Sequence, residues 1–201
     1  MSKFYSQAGQ DEWVVNFFES KRNGFFLDIG AFDGIELSNT YYLEQNLNWG
    51  GICVEANPSI FKLLVKNRNC SCINAAVSDY SGRINFLPDG LTGKATENKN
   101  NSIEVDCTTL EDLLISNSCP SIIDYLSLDI EGFEVKALSK FPFNKIEVIL
   151  LTVEHNLYNS GNSNKNNIKN ILMNNGYEIS VENVQHQNLQ FEDWYINKKY
   201  I

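Results

Sequence analysis

The sequence predicts one α/β domain with a doubly wound, mostly parallel sheet and a late antiparallel strand. Short apolar runs alternate along the chain with segments of helical periodicity, which is the pattern of parallel strands joined by crossover helices. The apolar runs lack in–out alternation, which indicates a sheet covered on both faces. Two strand-like segments close together near the end predict the antiparallel addition.

Each element of the first half has a local reason. Apolar residues at helical spacing predict an opening helix, and apolar runs ending in Gly30 and Glu55 predict buried strands. Asn57 and Pro58 supply the N-cap and first-turn proline of a further helix. The expected elements are a helix over 11–19, a strand over 25–30, a helix over 35–45, a strand over 51–55, a helix over 58–67, a strand over 72–77 and an extra strand over 83–87.

The second half opens with the one long polar loop, residues 88–102. Thr108 and Glu111 have capping-box spacing and predict the start of a helix. Four more segments predict strands, of which the run ending in Glu154 is the longest. The expected elements are a helix to residue 116, a strand over 124–129, a helix over 131–140, a strand over 146–154, a helix over 164–175 and strands over 177–181 and 191–197.

Composition restricts the function. A chain of 201 residues with 43% apolar residues forms one domain, 1–201, with a real core, and residues 1–22 are expected to pack on or near the site. The net charge of -9 argues against a nucleic-acid partner. No apolar run is long enough for a membrane span, and five cysteines without a C-x-x-C pair favour a reducing, cytoplasmic location. The oligomeric state is left open.

The ends of the strands carry the polar residues that point to a ligand site. In an open parallel sheet, ligands bind beyond the carboxyl ends of the strands, where the strand order reverses. The loop from Gly30 to Gly34 is G-x-x-x-G rather than the dinucleotide pattern, and Asp33 would repel a pyrophosphate. Asp28 or Asp33 suits an ammonium group instead, and Glu55 suits a ribose diol.

These motifs, in this order and spacing, resemble the FkbM-type methyltransferases, which have the Rossmann-like class I S-adenosylmethionine-dependent fold. The resemblance covers most of the chain, although Phe32 stands where the family often has Asn. It implies an O-methyltransferase that uses S-adenosylmethionine and acts on a hydroxyl group of a sugar or glycan. The matching segments are 26–34, 38–40, 54–58, 74–79, 125–132 and 153–156, with an opening 6–11 and a closing 193–195.

The resemblance also implies which residues hold the cofactor. Gly30 and Ala31 lie along its methionine half, and Glu55 holds the ribose. The adenine lies beside Asn57, Ala75 and Ala76. The complete set of expected cofactor residues is Asp28, Gly30, Ala31, Asp33, Gly34, Ser38, Asn39, Glu55, Ala56, Asn57, Ala75, Ala76 and Asp129.

Methyl transfer from a sulfonium depends mostly on alignment of the acceptor, and a general base adds to it. Asp129, His155 and Glu154 are the candidate catalytic residues, because they follow apolar strands at the ligand edge. Asp129 and Glu154, with Glu131, also have the oxygen ligands that a hard divalent cation prefers. We favour a metal-free site. His186 lies in a polar turn, and we expect a structural or exposed role for it.

Three other functions remain open. The first is an O-methyltransferase whose acceptor is a non-sugar natural product. The second is a domain that binds S-adenosylmethionine or a partner without catalysis. A nicotinamide-dependent dehydrogenase, the third, is disfavoured because residues 30–34 lack its glycine pattern. In every catalytic interpretation the partner is a small-molecule or glycan acceptor, over which the loop 88–102 and the opening helix are expected to form a lid.

Overall fold

The computed structural model describes residues 4–157 and 161–201, and within these residues it contains two sheets. Seven strands form the main sheet and four form a smaller one. The strands are β1 (Phe25–Ile29), β2 (Gly50–Val54), β3 (Ser71–Ile73), β4 (Ala76–Val77), β5 (Gly82–Leu87), β6 (Lys94–Thr96), β7 (Ile103–Thr108), β8 (Ile122–Leu128), β9 (Glu147–Glu154), β10 (Tyr177–His186) and β11 (Leu189–Asn197).

Six α-helices and two short 3-10 helices belong to the described residues. The 3-10 helices span Gly90–Thr92 and Lys198–Tyr200. The α-helices are α1 (Gln10–Phe17), α2 (Tyr41–Leu47), α3 (Pro58–Asn67), α4 (Leu110–Ser116), α5 (Glu134–Ser139) and α6 (Asn162–Asn174).

The main sheet has the order β10-β11-β9-β8-β1-β2-β3. Its five strands from β9 to β3 are parallel, and β11 lies antiparallel between β9 and β10. The strand order reverses between β1 and β8, so a crevice is expected at the carboxyl ends of those two strands. The predicted doubly wound, mostly parallel sheet with a late antiparallel strand is therefore confirmed.

Each face of the main sheet buries its own apolar cluster. One cluster takes Leu110 from α4, Leu138 from α5 and Leu172 from α6. The other takes Val14 from α1 and Leu43 from α2, together with a leucine of α3. Each fully buried side chain of this size contributes about 1.5–3 kcal/mol. The two clusters together explain why the strands are apolar on both sides.

The second helix begins later than expected, at Tyr41 rather than near residue 35. Asp33 Oδ1 accepts the backbone N–H groups of Ile35 and Glu36, both at 2.8 Å. Ser38 Oγ then accepts the N–H groups of Thr40 and Tyr41. Such local side-chain bonds satisfy backbone donors without a helix. Residues 31–40 are therefore a structured loop at the edge of the sheet.

The expected strand over 72–77 is wrong, because the chain leaves the main sheet in its middle. Asn74 Nδ2 donates to the carbonyl oxygens of Glu55 and Ala56, at 2.7 and 3.2 Å. These bonds separate β3 from β4, and β4 then pairs with β7 in the small sheet, whose order is β4-β7-β5-β6. Residues 88–102 are likewise not one long loop, since they contain a 3-10 helix and β6.

Several boundaries also differ. The expected capping box is wrong, because Thr109 caps α4 by accepting the N–H of Asp112 at 3.0 Å. The last two strands extend through most of the turn expected at 183–190, and they form a hairpin that ends at His186 and Leu189. Because β10 runs in the direction of β9, this hairpin tip lies at the carboxyl edge of the sheet.

Among the described residues, no helix combines the length and apolar character needed to cross a bilayer.

Gly30 joins β1 to the following loop at a point where no side chain fits. Its φ is +92°, and a Cβ there would lie 1.8 Å from the carbonyl oxygen of Asp129. We predict that Gly30→Ala lowers the free energy of unfolding by roughly 3 kcal/mol or more, measured by urea denaturation.

Gly132→Ala is the matched control for this substitution. Gly132 also has a positive φ, +106°, but a Cβ added there would meet no atom within 4 Å. Gly132→Ala should lower the free energy of unfolding only by the cost of a positive φ for alanine, about 1–2 kcal/mol. Equal losses in the two variants would contradict the close approach of Gly30 to Asp129.

Candidate active site

A pocket with a volume of about 240 Å³ opens at the carboxyl edge of the main sheet, beside the reversal between β1 and β8. Its wall combines the loop after β1, the ends of β8 and β9, the hairpin tip, the N-terminal segment and the 3-10 helix of the small sheet. The residues that line it are Gln7, Asp28, Gly30, Ala31, Phe32, Glu36, Leu37, Ser38, Asn39, Glu55, Gly90, Thr92, Gly93, Ser127, Asp129, Glu131, Glu154, His186, Leu189 and Phe191.

A smaller, mostly apolar pocket of about 40 Å³ adjoins the first. The two pockets share Gly30, Glu55, Gly93 and Asp129 in their walls. Together they form an elongated cleft with one polar and one apolar end. The apolar end is lined by Ile29, Val54, Ala56, Ala75, Ala76, Val77, Phe86, Ala95, Ile130 and Phe133 beside the shared residues.

Glu55 lies where the two pockets meet, and backbone groups hold its carboxylate. Oε2 accepts the N–H of Phe32 at 3.1 Å, and Oε1 accepts the N–H of Asn57 at 2.7 Å. Burial raises the pKa of Glu55, and these backbone bonds oppose the rise. Because a carboxylate oxygen has two acceptor directions, each oxygen keeps capacity for one more donor. A vicinal diol has the two donors required.

Asp28 lies at the polar end of the cleft. It is 4% exposed, and its Oδ2 accepts the hydroxyl of Thr40 at 2.6 Å. Burial raises the pKa of Asp28, while the charge of Arg68 opposes the rise. Asn39 lies nearby and donates from Nδ2 to Ser127 Oγ at 2.9 Å. A negatively charged, largely desolvated group at this place suits a cationic part of a ligand.

Three carboxyl groups that line the large pocket converge on one another. Oxygen atoms of Asp129, Glu131 and Glu154 lie within 4.8 Å of one another. Burial raises the pKa of Asp129 to about 7, although its hydrogen bond with Glu154 lowers it. Burial and the charge of Asp129 raise the pKa of Glu154 well above its ordinary value. Glu154 is therefore the protonated partner, which donates to Asp129 near neutral pH.

Asn156 holds the other side of this carboxyl cluster. Its Nδ2 donates to Glu154 Oε2 at 2.7 Å and to Glu131 Oε2 at 3.2 Å. The three carboxyl groups have the oxygen chemistry of a divalent-cation site. Acidic clusters are common without an ion, and our preference for a metal-free site stays a prediction.

His155 lies behind the pocket rather than in its wall. It is 1% exposed, its Nε2 lies 3.4 Å from Asp193 Oδ1, and its Nδ1 accepts the N–H of Leu157 at 3.2 Å. Burial would raise the pKa of Asp193, but the hydrogen bonds from His155 and Asn183 lower it below its ordinary value. This geometry favours Asp129 over His155 as the base.

His186, to which the sequence assigned only a structural or exposed role, does line the pocket. Its Nδ1 lies 3.2 Å from the carbonyl oxygen of Gln7, which lines the same wall. The N-terminal segment that carries Gln7 is anchored by Gln10, whose Nε2 donates to Glu192 Oε1 at 3.0 Å. The residues around His186 gave no signal of this position, because the direction of β10, which brings the hairpin tip to the ligand edge, follows from its pairing with β11.

Three of the expected cofactor residues contact other parts of the protein and do not line either pocket. Asp33 bonds the backbone of its own loop. A Cβ on Gly34 would meet Arg68 and Leu64 at 2.7 Å, so this glycine allows α3 to pack closely. Asn57 accepts the N–H of Ser59 as the N-cap of α3. Each of them supports the cleft from outside the residues that line it, whereas the other ten line one or both pockets.

Comparisons with known proteins give the family and the fold of the chain. A family model described as the methyltransferase FkbM domain matches residues 28–179. That range includes both pockets apart from the N-terminal segment and the hairpin tip. No curated protein matches the chain at a significant level.

Solved structures show the same fold at low identity. The methyltransferase domain of METTL16 has a TM-score of 0.55 at 12% identity, over 92% of this chain and 64% of that chain. A protein of the NADB-Rossmann superfamily from Streptococcus agalactiae also has a TM-score of 0.55 at 12% identity, over 98% and 70%. A TehB-like SAM-dependent methyltransferase from Corynebacterium glutamicum has 0.51 at 9% identity, over 98% and 90%.

Proposed function

Because the chain belongs to the FkbM family of methyltransferases, we propose that it transfers a methyl group from S-adenosylmethionine to a hydroxyl oxygen of a sugar or glycan. The observation that carries this proposal is the elongated cleft at the carboxyl edge of the sheet. Its apolar and polar ends meet at Gly30, Glu55 and Asp129. A nucleoside with a charged amino-acid tail likewise has a flat base at one end and charged groups at the other.

The residues of the cleft fit the cofactor. Gly30 leaves an open backbone surface in both pockets, at a place where a Cβ would collide with Asp129. The two free acceptor directions of Glu55 suit a ribose diol, and Ala75 and Ala76 offer a flat apolar wall to the adenine. Asp28 suits the ammonium group.

When bound, S-adenosylmethionine supplies a methyl group activated by its positively charged sulfur. Asp129 is then the group that accepts the proton of the acceptor hydroxyl, since it lines both pockets and its raised pKa suits a base near neutrality. Glu154 holds the Asp129 carboxylate in place through their hydrogen bond. Orientation of the hydroxyl by the pocket wall provides most of the acceleration.

The wall around Asp129 supports a polyol acceptor. Gln7, Glu131 and His186 offer hydrogen-bonding groups, and Phe32 and Phe191 offer apolar faces. Sugars present both kinds of surface. No lysine or arginine is among the residues that line the described pocket, which supports a small neutral acceptor rather than nucleic acid. The five free cysteines support a cytoplasmic location.

The proposal is tested with purified protein, labelled S-adenosylmethionine and a panel of free and nucleotide-linked sugars. We expect label in at least one sugar, at a position stable to ester hydrolysis. His186→Ala should raise the KM for that sugar at least about fivefold and leave cofactor affinity unchanged, because His186 lines the large pocket but is not among the expected cofactor residues. Transfer only to non-sugar hydroxyls would show that the acceptor is not a sugar. Cofactor binding without any transfer would indicate a non-catalytic domain.

Glu55 tests the cofactor assignment separately from the acceptor. We predict that Glu55→Ala weakens S-adenosylmethionine binding by about a hundredfold or more, because a charged group with two hydrogen bonds to the ribose contributes about 1.5–3 kcal/mol for each bond. Isothermal titration calorimetry measures the dissociation constant. Glu36→Ala is the control, since Glu36 is an exposed residue outside the expected cofactor set and its loss should change the affinity little. Unchanged affinity in Glu55→Ala would refute the ribose contact.

Asp129 tests the base. We predict that kcat/KM of the wild-type enzyme rises with pH through about 7, because Asp129 accepts a proton only after it has lost its own. Asp129→Asn should remove this rising limb and lower kcat by roughly 10²–10⁴-fold. His155→Ala should keep the limb, since His155 lies outside the pocket wall. Unchanged turnover in both variants would remove the general-base mechanism.

A further inference from the structure

Two cysteine sulfur atoms face each other in the apolar cluster on one face of the main sheet, outside the residues that line either pocket. Cys53 in β2 is fully buried, and Cys70, which precedes β3, is partly exposed. Their Sγ atoms lie 3.5 Å apart. A disulfide needs about 2.05 Å, so a movement of roughly 1.5 Å brings the two atoms to bonding distance.

We propose that Cys53 and Cys70 form a reversible oxidation site, at which a hydroperoxide converts the two thiols to a disulfide and thereby loosens the cofactor loop. The pair differs from a lone cysteine, because the second thiol lies in place to resolve the oxidised form of the first. Formation of the disulfide does not depend on the proposed function. The effect on S-adenosylmethionine binding does rest on it.

The reaction proceeds in two balanced steps. The Cys70 thiolate attacks one oxygen of the hydroperoxide, so that an S–O bond forms, the O–O bond breaks and the leaving oxygen departs with a proton as water or alcohol. The Cys53 sulfur then loses its proton and attacks the Cys70 sulfenic acid. The S–S bond forms, the S–O bond breaks, and a second water leaves. Two thiols are oxidised, and one peroxide is reduced.

The surroundings make Cys70 the attacking thiol. Its hydrogen bond with Cys53 and the nearby charge of Arg68 lower the pKa of Cys70, whereas burial raises the pKa of Cys53 well above its ordinary value. Burial raises the pKa of both Cys107 and Cys119 to about 11. Burial and the nearby Cys70 raise the pKa of the partly exposed Cys72 to about 12. Peroxides react with thiolates, so Cys70 combines ionisation with access in a way that the other cysteines do not.

The pair is connected to the cofactor site through one ion pair. Glu44 Oε1 accepts the N–H groups of Asn69 and Cys70, at 2.8 and 2.7 Å, and its Oε2 binds Nε of Arg68. The Arg68 guanidinium, on a residue only 5% exposed, reaches the loop before α2. It donates to the carbonyl of Gly34 at 3.3 Å, to Ser38 Oγ at 3.4 Å and to Thr40 Oγ1 at 3.0 Å.

This loop forms part of the polar end of the cleft. Ser38 lines the large pocket, and Thr40 donates to Asp28, which also lines it. Movement of Cys70 towards Cys53 displaces the two backbone N–H groups that Glu44 accepts. Arg68 and residues 34–40 then lose part of their fixed geometry. The expected result is weaker cofactor binding in the disulfide form, by about tenfold, a coupling of ordinary size.

The test treats reduced protein with hydrogen peroxide, blocks the remaining thiols with N-ethylmaleimide and maps the peptides by mass spectrometry without reduction. We expect a Cys53–Cys70 linkage in the wild type and in Cys119→Ser, the control with a partly buried cysteine elsewhere. The linkage should be absent from Cys70→Ser and Cys53→Ala. Cys70→Ser replaces a partly exposed side chain, so this variant remains informative if Cys53→Ala fails to fold.

Two readouts follow the disulfide form. Calorimetry should show about tenfold weaker S-adenosylmethionine binding, restored by dithiothreitol, and hydrogen exchange should increase at residues 34–40. The exchange readout decides the coupling even if the reduced protein binds no S-adenosylmethionine, which would refute the proposed function alone. A linkage of either residue to Cys72, oxidation of Cys70 without a disulfide, or unchanged exchange and affinity in the disulfide form would overturn the inference.

Discussion

The contact between the ends of β1 and β8 is the constraint on which the rest of the cleft depends. A glycine at position 30 lets the chain turn with a positive φ directly against the Asp129 carbonyl, where a Cβ would lie 1.8 Å from that oxygen. The N–H groups of Gly30 and Ala31 both reach Val54 O, at 2.9 and 3.0 Å, which ties the turn to β2 as well. Three adjacent strand ends are thereby held in one position, and each of them carries an acid.

Burying several acidic side chains at one edge of the sheet lowers the stability of the folded chain when these groups are ionised. Burial raises the pKa values of Asp28, Glu55, Asp129 and Glu154, so these groups hold protons more tightly in the folded chain than in the unfolded one. Their contribution to stability is largest below the unfolded pKa values and falls as the pH rises through the folded ones. Positive charge beside the ionised carboxylates would offset this loss, so the cleft suits a cationic ligand better than an anionic one.

Sequence reasoning recovered the strands that form the ligand edge, because buried parallel strands are apolar throughout and their polar ends are visible. It did not recover features that depend on a partner far along the chain. The break at Asn74 needs the carbonyl groups of residues 55 and 56, and the role of Glu154 needs Asp129 beside it. His186 was missed because its strand direction follows from pairing with β11, whereas the residues themselves are polar and turn-like.

The wall shared by Gln7 and His186 joins two parts of the chain that are 179 residues apart in sequence. The residues that line the apolar pocket all lie at or before Phe133, and therefore before β9 in the chain. The opposite wall must wait for the final hairpin to pair with β9. The wall that contains Gln7 and His186 is therefore completed only when the last two strands have joined the sheet, whereas the apolar pocket does not depend on them.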